Sequence, residues 1–182
     1  SANFKAMLAT NSKIEAIRYL EAFEELGDLN CKVVISAPDQ REGYEAVDQK
    51  SKDRVKNFWD KMMKKYGDDD KYEDTIKDDF TNGDNVDVLI VVSKLLTGFD
   101  APRTTVLYVD KPMKEHTLLQ AIARVNRLYE GKDFGFIVDY RGLLEKLDVA
   151  LDMYSGAGLE NFDPEDLKEA LRDVISIIGS LR

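Results

Sequence analysis

At 182 residues, 43% hydrophobic and 34% charged, the chain has the size and composition of one globular domain, which excludes wholesale disorder and collagen-like or low-complexity architecture. Its 26 basic and 35 acidic side chains leave a net −9, so a domain that holds DNA mainly by coating it with Lys and Arg is excluded, though a local groove is not. One cysteine, Cys31, and one histidine, His116, exclude an internal disulfide and a conventional Cys- or His-based metal cluster, and agree with a reducing, cytoplasmic setting.

The opening Ser1-Ala2-Asn3-Phe4-Lys5 has no signal-peptide architecture and no initiator Met, and reads as the edge of a piece excised from a longer chain, with Ser1 a tag remnant. Phe4–Thr10 is a strand running into a helix cap at Asn11-Ser12. Ile14, Ile17, Leu20 and Phe23 then recur at helical spacing until Gly27 supplies a stop. Cys31–Ser36 is a second strand. Gln40–Tyr66 is charged and helix-favouring, with Val55, Phe58, Trp59, Met62 and Met63 on a core-facing side. Gly67-Asp68-Asp69-Asp70 is expected to be a solvated break rather than a cation site, and Tyr72–Phe80 another helix.

Val86–Val92 is almost continuously apolar and β-branched, which suits a strand buried on both faces of a parallel sheet. Thr104–Asp110 and Phe134–Asp139 are further strands, separated by a helix over Glu115–Leu128. Gly142–Tyr154 and Pro164–Leu181 are both expected to be helical, with Ser155–Gly158 a small-residue hinge between them. No apolar run reaches the ~20 residues of a membrane-spanning helix, so no membrane partner is expected. Alternating strands and helices predict an α/β fold with a mostly parallel sheet, whose ligands gather at strand carboxyl ends. The loops after Thr10, Val92 and Asp110 are therefore the places to look.

There is no G-x-x-x-x-G-K-[ST] phosphate loop, no G-x-G-x-x-G and no nucleophile elbow. His116, at a helix entry, suits a surface or capping role better than catalysis. Two segments stand out. Ser93–Pro102 follows the most buried strand: Gly98 permits close backbone approach, Thr97 offers a hydroxyl and an amide to a phosphate, and the Asp100 carboxylate can accept from a ribose hydroxyl. T-G-x-D is also an ordinary tight turn. In Leu118–Arg127, Gln120, Arg124 and Arg127 stand at i, i+4 and i+7 and are expected to share a helix face. Guanidinium forks match phosphate geometry and stabilise charge on a transferred phosphoryl group. Salt bridging of these arginines to Asp100, Asp110 or Glu115 is the plain alternative.

In this order the segments resemble the second RecA-like domain of superfamily 2 helicases and translocases. Phe4–Ser12 resembles motif IV, Leu96–Pro102 motif V, and Gln120–Arg127 motif VI (Q-x-x-x-R-x-x-R). More narrowly, L-L-T-G-F-D-A-P at 95–102, Q-A-I-A-R-V-N-R at 120–127 and I-V-D-Y-R-G-L at 137–143 resemble the motor part of the R subunit of type I restriction enzymes. The resemblance covers roughly residues 3 to 155. It implies a RecA-like motor domain over 1–154, lacking a P-loop, with 155–182 the start of a helical extension.

The resemblance further implies ATP held between this domain and a first RecA-like domain of the same chain, which carries the P-loop and the magnesium-binding motif. Arg127 and Arg124 would reach the γ-phosphate, one as arginine finger and one as sensor, and Gln120 would orient them or a water. Gly98 and Asp100 would line the nucleotide, and Thr10, Ser12 and Thr97 would touch the backbone of double-stranded DNA through neutral donors. Modification and specificity subunits are the implied partners, with DNA sequence choice and the nuclease site located outside this chain. Ala121 departs from the pattern, since many relatives carry a basic residue there. The chain alone is expected to be inactive. Another superfamily 2 motor, or a non-enzymatic domain whose arginines grip an acidic partner, stand as alternatives.

Overall fold

The computed structural model describes residues 4–38, 48–96, 99–127, 129–132 and 134–143, and of Glu115 and His116 the backbone alone. The helices expected at Gly142–Tyr154 and Pro164–Leu181, the hinge between them and the division at 154/155 lie outside the described residues.

The first strand, β1 (Lys5–Thr10), feeds α1 (Lys13–Leu26) through Ser12, whose hydroxyl accepts from the Glu15 amide at 3.3 Å. Gly27 ends the helix in the left-handed region, at φ 76°, its N–H returning to the Phe23 carbonyl. β2 (Cys31–Val34) follows, and α2 (Gln49–Tyr66) starts on Asp48, whose carboxylate accepts from the Ser51 amide at 2.7 Å. The expected solvated break at 67–70 is shorter. Asp68 caps α3 (Asp69–Thr81) by accepting from the Lys71 amide at 2.8 Å, and Asp69 and Asp70 lie in its first turn. Carboxylates there complement the helix dipole, so acids that read as loop residues open a helix.

β3 (Val88–Val91), β4 (Thr104–Asp110), α4 (Glu115–Val125) and β5 (Phe136–Asp139) complete the order. The five strands form one sheet in the order β2-β3-β1-β4-β5, and every pairing is parallel. β3 is buried at each of its positions, as its continuous apolar run requires. One side of the sheet packs Leu8, Val33, Val88 and Ile90 against Ile14 and Ile17 of α1. The other packs Met7, Leu89 and Leu107 against Ile76 and Phe80 of α3 and Leu118 and Ile122 of α4. α2 packs on both α1 and α3, and Trp59 touches both apolar clusters. This is the expected α/β arrangement: a parallel sheet between helices. Among the described residues, no helix is long and apolar enough to cross a membrane.

Two cations, Lys5 buried and Arg103 partly buried, tighten the amino-terminal edge. Lys5, 3% exposed, donates to the carbonyls of Asp79 and Gly83 and sits 5.4 Å from the Phe80 ring centre. Arg103 donates to the same Gly83 carbonyl at 3.0 Å and pairs with Asp84. Together they hold the end of α3, where carbonyls lack helical partners, against the start of β1 and β4.

Candidate functional site

The segment between β3 and β4 starts at the carboxyl edge of the sheet and ends at its amino edge. Lys94 ties its beginning to α3, 2.9 Å from Glu73 and 3.5 Å from Asp69. Leu95 adopts φ 67°, a left-handed conformation uncommon for a side chain of its size, while Leu96 and Phe99 are buried. The Phe99 ring lies 6.2 Å from that of Phe80 and anchors the segment, leaving Asp100 outside. Thr97 and Gly98 lie outside the described residues.

Asp100 meets the arginines there. Its Oδ2 is 2.7 Å from Nη1 of Arg127, and both side chains are about half exposed, at 57% and 50%. The expectation of three residues on one helix face is corrected: α4 ends at Val125, not Leu128, so Gln120 and Arg124 are helical and Arg127 is beyond the end. The reason is tertiary. The Asn126 side-chain oxygen accepts from the Gly135 amide at 3.0 Å, tying the end of the helix to the approach of β5. A Cβ on Gly135 would stand 2.2 Å from the Val125 carbonyl oxygen, so only glycine permits this contact.

Arg124 points the other way. Its Nε is buried with no hydrogen-bond partner, and it lines a small cavity with Thr104, whose hydroxyl is likewise buried without a partner. Burial lowers the guanidinium's pKa, Arg127 lowers it further, and Asp100 opposes both. Two cations beside one shared carboxylate make an electropositive spot on an acidic domain. Gln120, one turn before Arg124, is exposed.

Lys132 beside this site is the residue that sequence reasoning missed, because its context, Glu130-Gly131-Lys132, resembles any solvated turn. It is 4% exposed and donates to the carbonyls of Pro102 (2.8 Å) and Thr104 (2.6 Å), fastening the end of the Asp100 segment. Burial pushes its pKa down to about 8. The unfolded chain then binds a proton that the folded chain has given up, so this lysine makes stability rise with pH between about 8 and its ordinary value. Denaturant midpoints at pH 7.5 and 9.5 are expected to show that upward contribution in wild type relative to Lys132→Met; equal pH slopes would contradict it.

At the opposite edge the residues expected to touch DNA are already engaged. Thr10 is fully buried, its hydroxyl 3.1 Å from the Val91 carbonyl, and Ser12, 3% exposed, caps α1. Nearby, Lys111 donates to the Val92 carbonyl and to Ser93. Asp110 accepts from Tyr19 at 2.7 Å and pairs with Arg141 at 2.8 Å, and that bond to Asp110 pushes the Tyr19 phenol up to about 12. The structure thus gathers Asp100, Arg124 and Arg127 at the amino edge and sets Thr10 and Ser12 apart at the carboxyl edge.

Residues 2–142 match the family described as type I restriction enzyme subunit R, domain 3. The chain belongs to that family. It is 36% identical over 178 residues to a protein of Methanocaldococcus jannaschii named as the MjaVIIP endonuclease subunit of a type I restriction enzyme, covering 92% of this chain and 16% of that one. It is 49% identical over 77 residues to the type I restriction enzyme HindI endonuclease subunit of Haemophilus influenzae, covering 41% of this chain and 7% of that one. The chain therefore spans under a fifth of the length of either relative. Among solved structures, the ATP-dependent Type ISP restriction-modification enzyme LlaBIII bound to DNA overlays with a TM-score of 0.44 at 20% identity, over 74% of this chain and 8% of that one. The family match takes in the Asp100 segment, the arginines and the Asp139–Gly142 turn, so all the geometry above belongs to the R-subunit domain.

Proposed function

We propose that this R-subunit domain is the second wall of an ATP-driven translocase that moves along double-stranded DNA, facing a first RecA-like domain of the same chain. The observation that carries the reading is the arginine pair at the amino edge. Arg127 is half exposed and held by a single carboxylate, and Arg124 has no ion-pair partner among the described residues. Exposed ion pairs contribute only ~0–1 kcal/mol, so a phosphate can replace Asp100 on Arg127 at little cost. Asp100 in this reading presets the finger while no nucleotide is present, a role that competes with ribose binding for the same carboxylate. Gln120, exposed on α4, orients the arginines or a water.

Bound ATP with its magnesium would supply the phosphoryl group whose transfer releases energy, and the donor set suits it, since guanidinium groups accept phosphate in bidentate fashion. The residues of this domain bind and position charge. The metal ligands and the phosphate loop belong to the first motor domain, and bringing the arginines to the nucleotide requires the two domains to close. Gly98 and Thr97 complete the Asp100 segment in this reading. With Thr10 and Ser12 engaged internally, DNA contact at the carboxyl edge would fall to backbone amides and to neighbouring side chains. The cytoplasm is the setting, and modification and specificity subunits are the partners.

The test is ATP hydrolysis by the intact R subunit in its complex, with and without duplex DNA, comparing wild type with Arg127→Ala while nucleotide binding is followed in parallel. One observation favours a second reading: Arg127 already has a partner in Asp100. If the pair is purely structural or grips an acidic partner protein, the same substitution alters folding or assembly and leaves turnover intact.

A further inference from the structure

β4 begins with an irregularity. Its register against β1 runs from Lys5 opposite Thr104 to Ala6 opposite Val106, so Thr105 is an extra residue with no position opposite it on β1. Strict alternation would put Thr104 on the face of Val106 and Tyr108, which line a cavity with Tyr19 and Phe23 of α1. The extra residue turns it to the face of Leu107 instead, toward α4, where it lines a smaller cavity with Met7, Leu96, Phe99 and Arg124. Bulges commonly re-aim a side chain in this way.

A hydroxyl in that apolar company is costly unless it is bonded, and a valine would fill the same space without the cost. Thr104 is 3% exposed, and its backbone is fixed on both sides. The N–H donates to the Ala101 carbonyl at 2.9 Å, and the carbonyl accepts from Lys132 at 2.6 Å. Its Oγ1 is buried without a partner among the described residues, and so is the Nε of Arg124 on the same cavity wall. The two are complementary, since the guanidinium N–H only donates while the hydroxyl both donates and accepts. They do not bond each other directly. The cavity they share is about 10 Å³, room for one water molecule.

We propose that this cavity is a water site, in which one molecule accepts from Nε of Arg124 and bonds to the Thr104 hydroxyl, and that Thr104 thereby positions Arg124. Held at Nε, the guanidinium keeps one plane. Arg124 is only partly buried, and Asp100 and Arg127 act on its charge, so the terminal nitrogens are free to serve the outer side. A guanidinium oriented before the domains close stabilises a transferred phosphoryl group without reorganising at that moment. The positioning role rests on the motor reading; the water site does not.

Two measurements test the two halves separately. In urea unfolding of this chain, Thr104→Val should lower the midpoint, because the isosteric change strands Nε of Arg124. In an Arg124→Met background the same substitution should leave the midpoint unchanged or raise it, since the hydroxyl has no partner left to lose. No lowering in the Arg124 background, or an equal lowering in both, would overturn the water site. In the intact R subunit in its complex, Thr104→Val should reduce DNA-stimulated ATP turnover by about tenfold to a hundredfold, the scale of a misplaced catalytic group, with the KM for ATP little changed. Thr104→Ser, which keeps the hydroxyl, should stay near wild type. A loss with Arg124→Ala but none with Thr104→Val would overturn the positioning role and leave the second-wall reading standing. If Arg124→Ala leaves turnover intact, there is no catalytic arginine here to position and that role falls, while the urea midpoints still decide the water site.

Discussion

Arg127→Ala in the intact R subunit is expected to lower DNA-stimulated ATP turnover by about 10³-fold or more while ATP still binds, the range in which arginine fingers act in other phosphoryl-transfer enzymes. The size follows from the timing of the contact. A guanidinium that reaches the phosphate only when the domains close stabilises the transition state more than the ground state, so its loss appears in kcat and little in nucleotide affinity. Arg127→Lys should recover little, because an ammonium cannot reproduce the planar fork that now pairs with Asp100. Asp100→Asn provides the contrast. It removes the partner that holds Arg127 but not the guanidinium, so it should cost far less than Arg127→Ala and should leave stability within about 1 kcal/mol, as expected for an exposed pair. Arg124→Ala separates the two arginines: the larger kcat loss marks the finger. A loss below tenfold for both arginine substitutions would end the second-wall assignment.

The second large effect is expected at Gly135, through packing rather than chemistry. In Gly135→Ala the new methyl carbon would lie 2.2 Å from the Val125 carbonyl oxygen and 3.1 Å from the Val125 Cβ. The nearer atom is backbone at the end of α4, so relief requires the helix end and the approach to β5 to part, and the Asn126–Gly135 hydrogen bond goes with them. Overpacking of this kind costs about 1–3 kcal/mol and sometimes more, and severing the part-buried hydrogen bond adds to it. Urea unfolding should therefore place Gly135→Ala at least ~3 kcal/mol below wild type, with Asn126→Ala, which breaks the tie without the clash, about 1–2 kcal/mol below. Since Arg124 and Arg127 flank the displaced turn, Gly135→Ala should also depress turnover in the intact subunit. A midpoint equal to wild type would show that the helix end can move freely, and the positioning argument would fall.

Much of the architecture was legible because its signals are local. The almost continuously apolar, β-branched run at Val86–Val92, broken only by Asp87, suits a doubly covered strand, and Ser12 and Gly27 delimit α1 by chemistry that acts within one turn. Where the reading of the chain was off, the deciding interaction lay elsewhere. The periodicity of Leu118, Ile122 and Val125 continues naturally to Leu128, and nothing within the helix reports that Asn126 bonds to Gly135 nine positions on. The acidic run at Asp68–Asp70 reads as loop by composition and as helix start by capping, and capping prevailed. At the candidate site, residue type and order singled out Arg124, Arg127 and Asp100, which the structure places near one another, but not Lys132, whose burial depends on two carbonyls about thirty residues earlier.

In the proposed motor, the placement of Asp100 and the arginines at one edge of the sheet, with Thr10 and Ser12 at the other, would let the sheet act as a stiff lever. β4 has seven residues, so at ~3.3 Å per residue the two edges lie about 20 Å apart, joined by parallel strands that resist bending. If closure on nucleotide turns the domain about its arginine edge by about 10°, the far edge sweeps ~3.5 Å, close to the ~3.4 Å rise of one base along a DNA strand. A step of one base per nucleotide then needs only a small swing of a stiff body, and the stiffness resides in the same buried core that keeps the sheet folded.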